Sequence, residues 1–245
     1  MLKAQSFLPR QSMLHLLDKL VSNPAVFTLY LKTGTTPAEI EKEMGRVLDR
    51  GSIFDEIVEK AARSTTGSVV FYSSGKATVV WPPFPLHEGV LVRGYDAGHL
   101  QRLLEGNPLL ALVIVRLGSY AVGLCQGEEI IAARAGTGLV HARHHKGGSS
   151  ANRYARHREK QMEYFFTRVE QHSRELLADY ISRIDYVFYG GARDTLLKLW
   201  RQCGFFGELQ DRTVDRLLSL REPRRSTLQE AVTEAFSSRV FELVE

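Results

Sequence analysis

Cysteine is scarce in this chain, which holds only Cys125 and Cys203 among its 245 residues. Two cysteines are too few for the disulfide framework of a small secreted protein, and they lack the paired spacing of a zinc site. A reducing cytoplasm is therefore the simplest compartment to expect. Both thiols are expected in the core.

Long apolar runs are missing as well. The longest one, PLLALVIVRLG from Pro108, is broken by Arg116 and is too short to cross a bilayer. Near the N-terminus, His15, Asp18 and Lys19 interrupt the leucines, which is typical of a short amphipathic helix and not of a signal peptide. We expect no membrane span and no membrane partner.

The overall composition is that of an ordinary folded protein. Hydrophobic residues make up 44% of the chain and charged residues 24%, which argues against a disordered protein. The net charge of +4 permits an acidic partner without requiring one, so local clusters of charge carry more information than the total.

Strand and helix signals alternate along the chain. β-rich runs predict strands over 26–31, 68–81 (a hairpin turning at Ser73 to Lys76), 90–92, 185–189 and 213–219, and a three-strand meander over 110–136. Helices are predicted from a Thr cap and Pro37, over 96–104, from Ser150 onward at unusual length, over 195–202 and over 226–243. Gly190 and Gly191 are expected to form a connecting turn. This alternation predicts an α/β fold, one domain around a mixed sheet.

The most informative segment is RHHKGGSSANRYARHREK, which spans residues 143–160. Cations flank the glycine pair on both sides, and Glu159 is the only acid in the segment. Two adjacent glycines let the backbone approach a ligand closely, and the amides at a helix start attract anions. The pattern favours contact with nucleic-acid phosphates. The alternative is a glycine-rich turn followed by the solvated face of a surface helix.

The same segment resembles a known motif. In the middle domain of eukaryotic and archaeal class I release factors, Gly-Gly-Gln-Ser precedes Arg-aromatic-Ala-Arg-x-Arg. Eight residues of this chain match that motif in register: Gly147, Gly148, Ser150, Arg153, Tyr154, Ala155, Arg156 and Arg158. The chain is most similar to the prokaryotic branch of the Vms-like release-factor family, whose eukaryotic members hydrolyse peptidyl-tRNA on stalled large ribosomal subunits.

The resemblance implies a ribonuclease-H-like domain over residues 24–245, with a protruding Gly-Gly loop and a long following helix, behind an N-terminal helical extension over residues 1–23. It implies a peptidyl-tRNA hydrolase that needs no cofactor and whose partners are the large ribosomal subunit, ribosomal RNA and peptidyl-tRNA. The catalytic positions would be Gly147, Gly148, Ser149 and Ser150. The RNA-binding positions would be Arg143, His144, His145, Lys146, Arg153, Arg156, Arg158 and Lys160. Tyr154 would stack on RNA or pack in the core, and packing is favoured.

Ser149 departs from the family motif, because it stands where the family carries its catalytic Gln. A backbone amide remains there to donate to a developing oxyanion. Either hydrolysis persists with a shorter side chain, or the factor has lost hydrolysis and binds ribosomes or tRNA without cleaving. The resemblance covers no separate codon-reading domain, so we expect a role in ribosome rescue or quality control without codon reading.

Three other activities compete with this one. A nuclease would need clustered carboxylates, and the spacing of Glu128, Glu129, Asp179, Asp185 and Asp194 does not mark them as a set. Zinc binding by His141, His144 and His145 lacks a cysteine and a recognised spacing. A serine hydrolase would need a Gly-x-Ser-x-Gly elbow, which does not surround Ser149 or Ser150.

Overall fold

The computed structural model describes residues 2–22, 25–140, 151–219 and 222–245 and divides the chain into two compact units. Unit 1 consists of Met1–Gly106 together with Thr233–Glu245, and unit 2 of Asn107–Val232.

Unit 1 is built on an antiparallel sheet of six strands. These are β1 (Leu2–Leu8), β2 (Phe27–Leu31), β3 (Ser68–Ser73), β4 (Lys76–Trp81), β5 (Val90–Arg93) and, from the end of the chain, β10 (Ser238–Val244). The order across the sheet is β1-β10-β4-β3-β2-β5. Four helices accompany them: α1 (Arg10–Val21), α2 (Pro37–Met44), α3 (Ser52–Ala62) and α4 (Gly98–Glu105).

Helices cover both faces of this sheet. Ile40 of α2 and Phe54 of α3 pack with Leu29 on one face, whereas Met13 of α1 and Leu100 of α4 pack with neighbouring strand residues on the other. Every residue of β2 is buried for this reason. A strand that is buried along its whole length needs such cover on both sides.

Two local predictions in unit 1 are confirmed. The hairpin turns at Ser74 and Gly75, whose φ angles of +30° and +79° are those of the turns that suit a two-residue β-hairpin. Helix α2 begins with a capping box: the Glu39 amide donates to the Thr36 hydroxyl and the Thr36 amide donates to the Glu39 carboxylate, with Pro37 in the first turn.

Unit 2 is built on a mixed sheet of four strands. They are β6 (Leu109–Arg116), β7 (Ser119–Gln126), β8 (Glu129–Thr137) and β9 (Tyr186–Gly191), in the order β8-β7-β6-β9. β6 and β9 are parallel and the other pairs are antiparallel. The helices are α5 (Ala151–Leu177), α6 (Arg193–Gln202) and the first part of α7 (Leu228–Ala235), in which unit 2 ends at Val232. 3₁₀ turns span Ala178–Arg183, Gly204–Arg212 and Arg225–Thr227. The predicted three-strand meander is confirmed as β6, β7 and β8.

The apolar stripe predicted for the long helix is confirmed as well. Phe165, Phe166 and Val169 of α5 are buried against one face of the sheet, where Val113 and Val122 meet them. Cys125 and Cys203 are buried, as expected, and burial raises the pKa of each thiol to about 12.

The Gly190–Gly191 turn was predicted wrongly, because both glycines lie inside β9. A Cβ on Gly191, whose φ is +121°, would overlap the carbonyl oxygen of Val115 on β6. A Cβ on Gly190 would meet Ile114 and Leu218 at 3.3 Å. These glycines therefore allow close approach between backbones and do not form a turn.

Two predictions near the C-terminus also need correction. The strand expected over 213–219 makes only two bridges to β9, Val187 with Thr213 and Gly190 with Leu218. The two bridges are three residues apart on β9 but five residues apart on the 213–219 segment, so the two segments cannot pair continuously. The helix expected over 226–243 ends at Ala235, where the Ser237 amide donates to the Glu234 carbonyl, and β10 follows.

The division into units differs from the prediction of one domain over 24–245 behind an extension over 1–23. Each unit has its own sheet and core, and residues 2–21 belong to unit 1, because β1 pairs with β10 and α1 buries Met13 and Leu17. The α/β class and the mixed sheet are confirmed, the latter in unit 2. The ribonuclease-H-like fold and the match to a release-factor middle domain stay predictions. Within the described ranges, no helix is both long and apolar enough to span a bilayer.

Candidate nucleic-acid interface

The predicted glycine loop lies between β8 and α5. Residues 141–150 are outside the described ranges, and with them the predicted site residues Arg143, His144, His145, Lys146, Gly147, Gly148, Ser149 and Ser150, as well as His141. What the structure describes is the pair of elements that carries the two ends of this segment: β8, which ends at Thr137, and α5, which begins at Ala151.

Helix α5 separates its cations from its packed side. Residues on an α-helix are about 100° apart, which places Arg153, Arg156 and Lys160 on one side and Met162 and Phe166 roughly opposite. The three cations are exposed, and Met162 and Phe166 are buried. Among the described residues, no carboxylate lies within ion-pair distance of any of the three cations. This arrangement exposes a row of positive charge immediately after the predicted loop.

Two further motif residues, Arg158 and Tyr154, differ from each other in exposure. Arg158 is half-buried, and its Nη1 lies 3.6 Å from the Met162 sulfur, so that this cation turns toward the packed side. Tyr154 is 56% exposed. The prediction that Tyr154 packs in the core is therefore wrong: no residue of α5 from Arg153 to Gln161 is buried, and the buried stripe of the helix begins at Met162.

Glycines hold the end of β8 close to the core. Gly136 lies opposite the fully buried Tyr120 in the β7–β8 ladder, and a Cβ on it would lie 2.5 Å from Tyr120 Cζ. A Cβ on Gly138 would lie 2.8 Å from Phe165 Cδ2, and the Gly138 amide donates to the Gly118 carbonyl at 3.0 Å. Only a residue without a side chain fits at either position.

Polar contacts join β8 and its neighbour β7 to α5. Arg168 Nη1 donates to the Thr137 carbonyl at 3.0 Å, Arg134 of β8 pairs with Glu175, and Tyr120 of β7 shares a hydrogen bond with His172 Nδ1. Desolvation, aided by Arg134 and Arg168, lowers the pKa of His172, and desolvation also raises the pKa of Tyr120. A neutral imidazole is therefore available to accept the hydrogen bond from the Tyr120 hydroxyl.

Sequence reasoning missed these anchoring contacts. The sequence analysis gave no packing role to Gly136 or Gly138, and it did not single out His172 or Arg168. A signal was present at the end of β8, where Gly136 and, just beyond the strand, Gly138 stand two residues apart and so leave one face of the chain there without side chains. The partners of these glycines, Tyr120 and Phe165, become apparent only in three dimensions.

The structure does not bring the carboxylates named in the nuclease hypothesis together, and Asp185 makes a different contact. Asp185 Oδ2 accepts the Leu109 amide at 2.7 Å, which links the residue before β9 to the start of β6. In the described part of the chain, no three His, Cys, Asp or Glu side chains converge as metal ligands would.

Comparison with known proteins gives one family match. The model of the acVLRF1 family, described as the Actinobacteria/chloroflexi VLRF1 release factor, matches residues 108–241. A peptide chain release factor subunit 1 from Archaeoglobus fulgidus is 26% identical over 132 residues, which cover 54% of this chain and 32% of that protein. The chain thus corresponds to about a third of the length of this curated relative.

Solved structures show weaker likenesses. The crystal structure of an archaeal translation termination factor, aRF1, aligns with 93% of this chain and 72% of its own at 16% identity and a TM-score of 0.39. Dom34 of S. cerevisiae, described as a translation termination-like factor, aligns with 93% of this chain and 62% of its own at 8% identity and a TM-score of 0.32. These scores are too low to establish a shared fold.

The family match does not depend on these solved structures. Its range includes the motif segment, α5 and the whole sheet of unit 2. It agrees with the resemblance that the motif residues indicated. Because residues 108–241 make up more than half of the 245 residues, this chain belongs to the Actinobacteria/chloroflexi VLRF1 release factor family.

Proposed function

We propose that this protein acts on ribosomes in rescue or quality control, where it hydrolyses the ester that joins a nascent peptide to tRNA. The observation that carries the proposal is the placement of the motif. Helix α5 begins at Ala151, directly after the Gly-Gly segment, and exposes Arg153, Arg156 and Lys160 on the side away from the core. A glycine segment followed at once by exposed cations suits insertion into a cavity lined by RNA.

The expected chemistry needs little from side chains. Ester hydrolysis requires a water positioned against the carbonyl carbon and a donor for the oxyanion that develops on the carbonyl oxygen. Backbone amides from Gly147 to Ser150 would provide that donor. Hydroxyls of the substrate and of ribosomal RNA would move the protons. The glycines would allow the loop to enter, and no metal or cofactor takes part.

The exposed cations would neutralise phosphates around the loop. Arg153, Arg156 and Lys160 are available for this on α5, together with Arg143 and Lys146 of the loop. Arg158 would contribute less to phosphate binding than the motif implies, because its guanidinium lies against Met162. A ribosomal partner would place the protein in the cytoplasm.

A second candidate function follows from Ser149, which replaces the motif Gln. A factor that has lost hydrolysis would keep the docking surface of α5 and would occupy the tRNA site without cleaving the ester. Both candidates require binding to the large subunit, and they differ in the release of peptide.

Peptide release distinguishes the two candidates. Purified protein is incubated with large ribosomal subunits that carry labelled peptidyl-tRNA, and released peptide is measured for wild type, Ser149→Gln and Gly148→Ala, with Gly207→Ala as a matched control. Gly207 is exposed, and a Cβ there meets no atom within 4 Å.

Release by wild type and Gly207→Ala that Gly148→Ala abolishes supports hydrolysis with serine at the glutamine position. Release of peptide by Ser149→Gln but not by wild type supports the non-catalytic candidate. If no variant releases peptide and none binds the subunit, both candidates fail. Equal melting temperatures are expected for the two glycine variants, because Gly148 is proposed to act in an exposed loop.

A further inference from the structure

A small groove lies beside the exposed side of α5, at the C-terminal end of β8. It has a volume of about 200 Å³ and is formed by six described residues: Gly138, Leu139, Gln161, Tyr164, Phe165 and Arg168. Tyr164 and Leu139 are 78% and 72% exposed, the two highest values among the exposed large hydrophobic residues of the described chain. Nothing in the proposed hydrolysis uses them.

The groove continues a stripe of side chains along α5. Arg153, His157, Gln161, Tyr164 and Arg168 follow one another at intervals of four, four, three and four residues, which places them on one side of the helix. His157 Nε2 and Gln161 Nε2 lie 3.2 Å apart, so that these two side chains are in contact. The stripe therefore leads from the first cation after the loop into the groove.

Charge along α5 is segregated around this stripe. None of the six residues that form the groove is acidic. Glu159 and Glu163 lie on a different side of the helix, where they line a separate depression with Lys198 and Arg201 of α6. The groove thus presents one cation, Arg168, and one exposed aromatic ring, Tyr164, and it has no carboxylate in its lining. A surface of this charge suits an anionic partner such as RNA.

We propose that this groove binds one unpaired base of the ribosomal RNA of the large subunit, stacked on Tyr164. An aromatic ring stacks on any base, an amide such as that of Gln161 can bond to a base edge, and arginine contacts phosphates. Pockets that hold a whole drug-sized ligand measure about 300–1,000 Å³. A groove of this size suits a single planar ring system.

We assign the base to ribosomal RNA because of the distance between Tyr164 and the start of α5. This step rests on the proposed function. Tyr164 is thirteen residues into α5, which is about 20 Å along the helix at 1.5 Å per residue. If the loop reaches the peptidyl-tRNA ester, Tyr164 lies about 20 Å along α5 from the residue at which the helix begins, away from the reacting end of the tRNA. The groove then faces the ribosomal RNA that surrounds the loop.

Binding to purified large ribosomal subunits tests the role of the ring. Tyr164→Ala is expected to weaken binding about tenfold, within the range that loss of one base–aromatic stack produces. Tyr164→Phe keeps the ring and is expected to bind like wild type. Thr167→Ala is the matched control, because Thr167 is exposed on the same helix and lies outside the groove. Tyr164→Ala removes no charge, so the dependence of binding on salt should not change.

Photo-crosslinking identifies the occupant. Tyr164 is replaced by p-benzoylphenylalanine, the full chain is bound to large subunits carrying peptidyl-tRNA, and the crosslinks are mapped. A crosslink to an unpaired nucleotide of ribosomal RNA is expected. Crosslinks only to tRNA or to a ribosomal protein, or no crosslink from bound protein, would overturn the proposal.

The two proposals fail in different ways. If wild type binds the subunit but Tyr164→Ala binds equally well, the groove has no part in binding and the proposed function is untouched. If wild type does not bind the subunit at all, the proposed function fails and the groove proposal fails with it. If wild type binds without releasing peptide, the crosslink still decides whether a base occupies the groove.

Discussion

Replacing Gly136 by alanine should destabilise unit 2 by overfilling the space between β8 and β7. The new Cβ would lie 2.5 Å from Cζ and 2.8 Å from Cε1 of Tyr120, well inside contact distance. The Tyr120 ring cannot move aside easily, because it is fully buried, packs edge-on against Phe165 with centroids 5.9 Å apart, and is hydrogen-bonded to His172.

The size of the effect follows from two costs. Overpacking a filled core costs about 1–3 kcal/mol. If the ring shifts and loses its bond to His172, about 1 kcal/mol is added. The sum of about 2–4 kcal/mol corresponds to a melting temperature lowered by roughly 5–15 °C in a chain of this size. Thermal unfolding followed by circular dichroism measures the shift.

Gly207→Ala provides the control for Gly136→Ala. The substitution is identical and lies in the same unit, but the added Cβ meets open space. If Gly136→Ala melts together with Gly207→Ala, the close approach of β8 to Tyr120 is not a constraint and the reasoning is refuted. A double variant, Gly136→Ala with Tyr120→Leu, should lose less stability than the two single variants together, because the smaller side chain makes room for the methyl group.

Three further predictions concern binding, pH and the second glycine site. Arg153→Gln with Arg156→Gln should weaken binding to the large subunit and reduce its salt dependence, whereas Lys32→Gln with Lys42→Gln removes two exposed cations of unit 1 and should not; equal salt slopes in the two double variants would contradict the phosphate role. Because the pKa of His172 is lowered in the folded protein, the unfolded chain binds more protons below pH 6.5. The stability from the neutral imidazole is therefore complete above pH 6.5 and is lost as the pH falls toward the lowered pKa, so the melting temperature of wild type should fall more between pH 8 and pH 5.5 than that of His172→Gln; identical slopes would disprove the assignment. Gly191→Ala should shift the urea midpoint to lower concentration than Gly204→Ala, whose Cβ meets open space, and equal midpoints would show that β9 can move away from Val115.

Local signals predicted most of the secondary structure. The hairpin at Ser74 and Gly75, the cap at Thr36 and the long amphipathic helix all depend on interactions between residues near one another in sequence, and each is confirmed. Such elements are encoded by turn chemistry and by the period of the apolar residues, so one sequence is enough to find them.

The errors fall where partners are distant in sequence. Residues 238–243 were assigned to a helix, but they pair with β1 on one side and β4 on the other, and strand pairing of Phe241 and Leu243 outweighs local helix preference. Gly190 and Gly191 were assigned to a turn because glycine pairs often form one. Their actual role depends on Val115 and Leu218, which no local pattern connects to them.

The sequence by itself determined the family and the chemistry to expect. The glycine pair and the cations that follow it are adjacent in the chain, so their register is readable without a structure, and the family match over residues 108–241 agrees with it. The tertiary structure decided which cations of α5 face solvent, how β8 is anchored to α5, and that Tyr164 and Leu139 share a groove with Arg168. The physical reason is packing: which side of a helix is covered, and which strand lies against a glycine, depend on residues far apart in the chain that only folding brings together.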